Sequence, residues 1–198
     1  MKDMPTKERI LYAALDLFAE KGYDGVGVDL IAEKAGLKGP SLYRHYKGKE
    51  DIFRSLIDLV ASQYEEGIGL KNKPGEFPES MDELIENAME KIQFTMHNAM
   101  IRKTRRILAM EQFRSERIAE LTSRYHLENL QGMYAGIFTG LMEKGILKKD
   151  DPELVALEFV SPVSLLIHMY DRQPEREEEV QDKIRKHFEH FAKEYAEK

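Results

Sequence analysis

Between Gly36 and Lys49 the chain reads GLKGPSLYRHYKGK, with Lys38, Arg44, Lys47 and Lys49 supplying four positive charges and no acid opposing them. Ser41, Tyr43, His45 and Tyr46 lie among them. Fixed cations interleaved with hydroxyl and aromatic groups suit one chemistry well. The cations neutralise a polyanion, and the neighbours hydrogen-bond what it carries. The whole chain points the other way, at a formal net charge of −6 over 198 residues. Residues 1–54 hold 10 Lys/Arg and 9 Asp/Glu, a net of +1, which leaves −7 for the remaining 144. A chain of that sign does not coat polyanions indiscriminately, but it can carry a small local anion-binding surface.

Other chemistries find less support. His187 and His190 stand three apart and could both reach a metal ion, but "KHFEHF" also fits the wet side of a helix whose dry side is Phe188 and Phe191. With no cysteine and no HExxH spacing, no metal site is expected. "GYDGVG" follows a helical pattern and not a strand, so no nucleotide loop is expected either. No nucleophile motif is visible, so no catalytic residue, cofactor or enzymatic activity is assigned. Absent cysteine excludes disulfides. No run approaches 18 apolar residues and the first residues lack a signal core, so the expectation is a cytoplasmic protein without a membrane span.

The elements that must hold the basic segment read as helices. Thr6 can cap a first helix that starts at Lys7, with Ile10, Leu11, Ala14, Leu15 and Phe18 at helical spacing and Gly22 ending it. A short helix follows from about Val28 to Ala35. Gly36 breaks it, and Pro40 is suited to the first position of another, running to about Tyr46. A longer helix starts at Lys49, with Ile52, Phe53, Leu56, Ile57, Val60 and Tyr64 on one stripe. "KNKPGEFPES" is a loop. Further helices span roughly 80–97, 99–113, 116–144, 152–170 and 177–197. No segment shows the alternation of a strand. The expected fold is all-α with about nine helices.

Two short helices joined by a glycine turn, behind a supporting first helix, make a helix-turn-helix. Ala32 is small where the helices cross, and Leu42 and Tyr46, four apart, face inward together. Ser41, Tyr43, Arg44 and His45 are then left outward beside Lys38, on a helix short enough for a major groove about 12 Å wide. Lys47 and Lys49 flank it, placed to neutralise phosphates, and Lys49 opens the next helix, whose free N–H groups attract a phosphate oxygen.

The stretch "GYDGVGVDLIAEKAGLKGPSLYRHYKGKEDIF" resembles the DNA-binding domain of the TetR family of transcriptional regulators, most densely in "IAEKAG" and "SLYRHYKGKEDIF". The resemblance covers about Thr6 to Phe53. It implies a three-helix DNA-binding domain over residues 1–48 and a larger helical domain over residues 49–198 that dimerises and binds an effector. Carried over residue by residue, it puts Lys38, Gly39, Pro40 and Ser41 at the start of the recognition helix, Tyr43 and His45 at contact positions, and Lys49 at a phosphate. Gly27 departs from the usual Ser or Thr cap, Asp29 stands where a basic or polar residue is common, and Tyr46 replaces phenylalanine.

The implied function is a regulator, a repressor, that binds a double-stranded palindromic operator as a homodimer and releases it on binding a small effector. The other function class open to this sequence is a helical small-molecule-binding protein or enzyme with a degenerate head. For the dimer surface, Val180, Ile184, Phe188, Phe191 and Tyr195 form one stripe, and the preceding helix is apolar nearly all round, with Phe159, Val163 and Leu166 as candidates. Pro162 is expected to kink that helix. Methionines and aromatics make adaptable apolar pockets, so Met89, Phe94, Met96, Met110, Phe113, Tyr125, Tyr134 and Phe138 are candidates for a largely hydrophobic effector site. The basic run Arg102–Arg106 reads as a solvated helix face or as a coupling element between the domains.

Overall fold

The structure is a computed structural model and describes residues 4–67 and 78–197, without the side chains of Glu65, Tyr125 and His126. Among the described residues there are ten α-helices, α1 (Thr6–Lys21), α2 (Val28–Lys34), α3 (Gly39–Leu42), α4 (Lys49–Gly67), α5 (Met81–His97), α6 (Ala99–Glu111), α7 (Glu116–Ser123), α8 (Asn129–Glu143), α9 (Pro152–Arg172) and α10 (Glu177–Tyr195). Among the described residues there is no strand, only an isolated bridge between Leu147 and Ala196. The all-α expectation holds.

Several boundaries differ for local reasons. Pro5, not Thr6, occupies the cap position of α1, with no side-chain cap bond. The expected helix over 116–144 stays helical as far as Glu143 but widens into a π turn at Arg124–Glu128, which divides it into α7 and α8. α3 keeps only four helical residues before a turn leads to Tyr46. α9 runs through Pro162 as one helix and continues to Arg172.

The described chain divides into two compact units. The first comprises residues 4–67 and 97–119, the second 78–96 and 120–197. In the first, α1 packs on α2, α4 and α6, and α4 also packs on α6. Ile10, Leu15, Phe18, Ile31, Leu42, Ile52 and Leu56 have no more than 2% of their surface exposed. Phe18, Tyr23 and Phe53 form a ring cluster with centroids 5.1 to 5.9 Å apart.

The second unit is built on α9, which packs against α8 and α10. Phe159 sits at its centre, with ring centroids 4.7 Å from Tyr134 and Phe188, 4.8 Å from Phe191 and 5.3 Å from Phe138. Asp151 caps α9 by accepting from Glu153 N–H at 2.9 Å, ahead of Pro152 at the first helical position. α9 is also the one helix among the described residues long and apolar enough, by length and composition, to cross a membrane. Its buried positions Val155, Phe159, Val160 and Tyr170 belong to the core of the second unit.

Candidate nucleic-acid interface

The turn between α2 and α3 is a closed glycine motif. Gly36 takes φ +69°, donates its N–H to Glu33 O at 2.9 Å, and is followed by Leu37 N–H on Ala32 O at 2.8 Å. This pair of bonds satisfies the last carbonyls of α2, and the positive φ explains why glycine stands there. Ala32 is 1% exposed, as expected at a helix crossing. Gly39 opens α3 in a tight place: a side chain there would start 3.2 Å from Asp29 Oδ1.

α3 is anchored from beneath and open above. Leu42 is fully buried, and the buried Tyr46 sends its hydroxyl to Lys7 O at 3.3 Å. Burial, then the Asp51 and Glu8 carboxyls, push the Tyr46 phenol up from its ordinary range. Outward stand Lys38, Pro40, Tyr43, Arg44 and Lys47, all exposed, with Gly39, Ser41 and His45 half-buried. Tyr43 has 57% of its surface free. Among the described residues, no carboxyl forms an ion pair with the side chains of Lys38, Arg44 or Lys47. The cations are uncompensated and the aromatic is unpacked, a combination that suits a polyanion with stacked or hydrogen-bonding edges.

Two residues at the entrance to α4 behave differently from their neighbours. Asp51 reaches back to accept the Lys47 N–H at 2.9 Å and also bonds Arg54, and these contacts hold its carboxyl below the usual range. Lys49 turns inward: its ammonium donates to Tyr23 O at 2.9 Å and lies 4.3 Å from the centre of the Tyr23 ring. The geometry therefore gives Lys49 a bracing contact in the protein, which its place in the basic run did not suggest.

The candidate effector residues are dispersed. Met110 and Phe113 belong to the first unit, and Met89, Phe94, Met96, Tyr134 and Phe138 to the second. The side chain of Tyr125 lies outside the described residues. Met96, Tyr134 and Phe138 are packed into the second unit's core, whereas Phe113 is 90% exposed and encloses nothing. In the candidate dimer set, Phe159, Val163, Val180, Ile184, Phe188 and Phe191 are buried within the core of their own unit. The α10 stripe is thus used inside the subunit. Only Leu166 and Tyr195 of that set keep a partly free surface, while Leu154 and Leu165, outside it, are 50% and 67% exposed.

His187 and His190 line a cavity of about 310 Å³ with Glu158, Phe191, Glu194 and Tyr195. One ring nitrogen of His187 lies 3.1 Å from Phe159 O, so it carries the proton and donates there. The Tyr195 hydroxyl donates to Glu158, which pushes the phenol up to about 12. Among the described residues no cluster of three or more His, Asp or Glu is arranged to hold a metal ion.

Sequence reasoning missed Glu111. It is an acid on the apolar stripe of α6, 2% exposed, and its Oε1 accepts the Tyr23 N–H at 3.1 Å. Its position four residues after Ile107 and three after Leu108 was the available signal. The basic run of α6 is resolved into distinct environments. Lys103 pairs with Asp16 of α1 at 2.6 Å, Arg105 is buried, and Arg106 is exposed.

The pattern of the bacterial regulatory proteins, tetR family, matches residues 10–56. Over 52 residues the chain is 44% identical to the biofilm operon icaADBC HTH-type negative transcriptional regulator of Staphylococcus epidermidis, a match spanning 26% of this chain and 28% of that one. Over 147 residues it is 29% identical to the fatty acid metabolism regulator protein of Bacillus subtilis, covering 72% of this chain and 69% of the relative. A TetR-family transcriptional regulator from Mesorhizobium loti shares the fold at a TM-score of 0.77, with 23% identity and 96% of each chain covered. Residues 10–56 thus carry the helix-turn-helix pattern of the bacterial regulatory proteins, tetR family, and the fold over nearly the whole length is similar to that of the Mesorhizobium loti regulator.

Proposed function

We propose that this protein is a ligand-responsive transcriptional regulator, a repressor that binds a palindromic DNA operator as a dimer and is released by a small, largely hydrophobic effector. The observation that carries the reading is the outward surface of residues 38–47, α3 and the turn that follows it. Tyr43, Arg44, Lys38 and Lys47 are exposed and without carboxyl partners among the described residues, on a segment pinned by Leu42 and Tyr46. In this reading Tyr43, Arg44, His45 and Ser41 meet base edges and phosphates, Lys38 and Lys47 neutralise flanking phosphates, and Gly39 and Pro40 keep the approach to the backbone low. Lys49 contributes its backbone N–H at the start of α4 while its side chain braces Tyr23. The name of the Staphylococcus epidermidis relative, a negative regulator, supports repression.

Residues 1–48 are the reading domain and residues 49–198 the effector and dimer domain, with α4 and α6 also packed on the reading helices in the first unit. The dimer surface uses the exposed face of α9, Leu154 and Leu165, with Leu166 and Tyr195 at its margin. Two reading domains about 34 Å apart then meet one face of a duplex. The protein works in the cytoplasm on DNA and small molecules and carries out no catalysis.

Selection of duplexes from a random pool, followed by gel shift with protein of measured oligomeric state, tests the reading. A palindromic consensus bound by two chains supports it. Recovery of no preferred sequence contradicts it and fits a helical small-molecule-binding protein with a head that no longer reads DNA.

A further inference from the structure

We propose that Glu111 and Lys49 are positioning residues for DNA reading, clamping Tyr23 from both sides so that α6 and α4 together set where the helix-turn-helix sits. The proposal rests on the DNA-reading role argued above. Tyr23 lies in the turn that leads from α1 to α2. Its N–H donates to Glu111 Oε1 at 3.1 Å and its carbonyl accepts from Lys49 Nζ at 2.9 Å. Its ring packs between Phe18 and Phe53 and lies under the Lys49 ammonium. Gly22, at φ +75°, makes room for this arrangement: a Cβ there would stand 2.9 Å from Glu111 Oε1.

Two other ties lie in the same unit, Lys103 of α6 to Asp16 of α1 at 2.6 Å and Arg117 of α7 to Glu50 of α4 at 3.0 Å. Both are substantially exposed and screened by solvent. Glu111 is buried and its contact with Tyr23 is half-buried, so leaving the Tyr23 N–H without its acceptor costs more than loss of either surface pair. Chain order gives the clamp its consequence. α6 packs in the first unit, but the segments before and after it, 78–96 and 120–197, belong to the second. A shift of α6 along its axis is therefore felt at Tyr23, at the entrance to α2, and α2 in turn carries α3.

The test uses full-length Glu111→Leu, Glu111→Gln and Lys49→Met on palindromic duplexes whose half-sites are moved apart or together by one or two base pairs. The leucine removes the acceptor, the glutamine keeps one, and the methionine removes the donor to the Tyr23 carbonyl while keeping the backbone N–H that opens α4. Glu111→Leu and Lys49→Met should bind the best duplex about tenfold more weakly and lose the preference for one spacing. Glu111→Gln should keep both. If Glu111→Leu does not fold, Lys49→Met answers the same question. Parent-like affinity and spacing preference in the leucine and methionine variants overturn the proposal. So does a uniform loss at every spacing, which marks a merely structural role, or a glutamine variant as defective as the leucine. A parent protein with no sequence preference overturns instead the DNA-reading role beneath it.

Discussion

Leu42 and Tyr43 are neighbours in sequence with opposite fates, and paired alanine substitutions separate the two jobs of α3 and its C-cap. Leu42 is fully buried among residues that include Ile31 and Ala32, themselves no more than 1% exposed. Removing its side chain forfeits transfer free energy and leaves a cavity, which costs about 2–5 kcal/mol. Tyr43 is 57% exposed, so Tyr43→Ala changes stability by no more than about 0.5 kcal/mol. Its loss should nonetheless weaken operator binding by about tenfold, the scale of one lost contact of about 1–3 kcal/mol. Urea melts read the first quantity, and fluorescence anisotropy with a labelled operator reads the second. If Tyr43→Ala destabilises by more than about 2 kcal/mol, or binds the operator like the parent, the division into a packed and a reading face is wrong.

Phe159→Ala removes the ring at the centre of the second unit and should cost about 3–5 kcal/mol, seen as a fall of on the order of 20 °C in the calorimetric transition of that unit. Asn98 caps α6 by accepting from Met100 N–H at 3.0 Å and Ile101 N–H at 3.1 Å, so Asn98→Ala should lower stability in urea by about 1 kcal/mol. The Tyr195 phenol is raised from 10 to about 12 first by its hydrogen bond to Glu158, so the folded state favours the neutral form. Its contribution is complete below pH 10 and is lost as pH climbs toward about 12. Tyr195→Phe should flatten that alkaline decline in urea melts and remove one tyrosinate absorbance step near pH 12. The parent's decline will also carry Tyr23 and Tyr46, both raised chiefly by burial.

The helix-turn-helix was legible because each of its parts has a local cause. Gly36 needs a positive φ, Ala32 must be small at a crossing, and Leu42 and Tyr46 share one side of a turn. The α10 stripe was equally visible, but periodicity reports only that a face is dry and not what covers it. Val180, Ile184, Phe188 and Phe191 are covered by their own unit, and the surface left free is on α9, at Leu154 and Leu165. The π turn at Arg124–Glu128 left no mark in a continuous helical pattern. Glu111 and the inward contact of the Lys49 side chain escaped notice for a different reason. Their partners are the N–H and the carbonyl of Tyr23, 88 and 26 residues away in the chain, and backbone groups carry no sequence signature.

The most direct test of the central claim is the salt dependence of binding to a selected duplex and to a scrambled duplex of equal length. The account predicts that affinity for both falls steeply and linearly on logarithmic axes between about 50 and 200 mM salt, as phosphates neutralised by Lys38, Arg44 and Lys47 release their counterions, while a large preference for the selected duplex persists. Equal affinity for the two duplexes, or binding indifferent to salt, would contradict it.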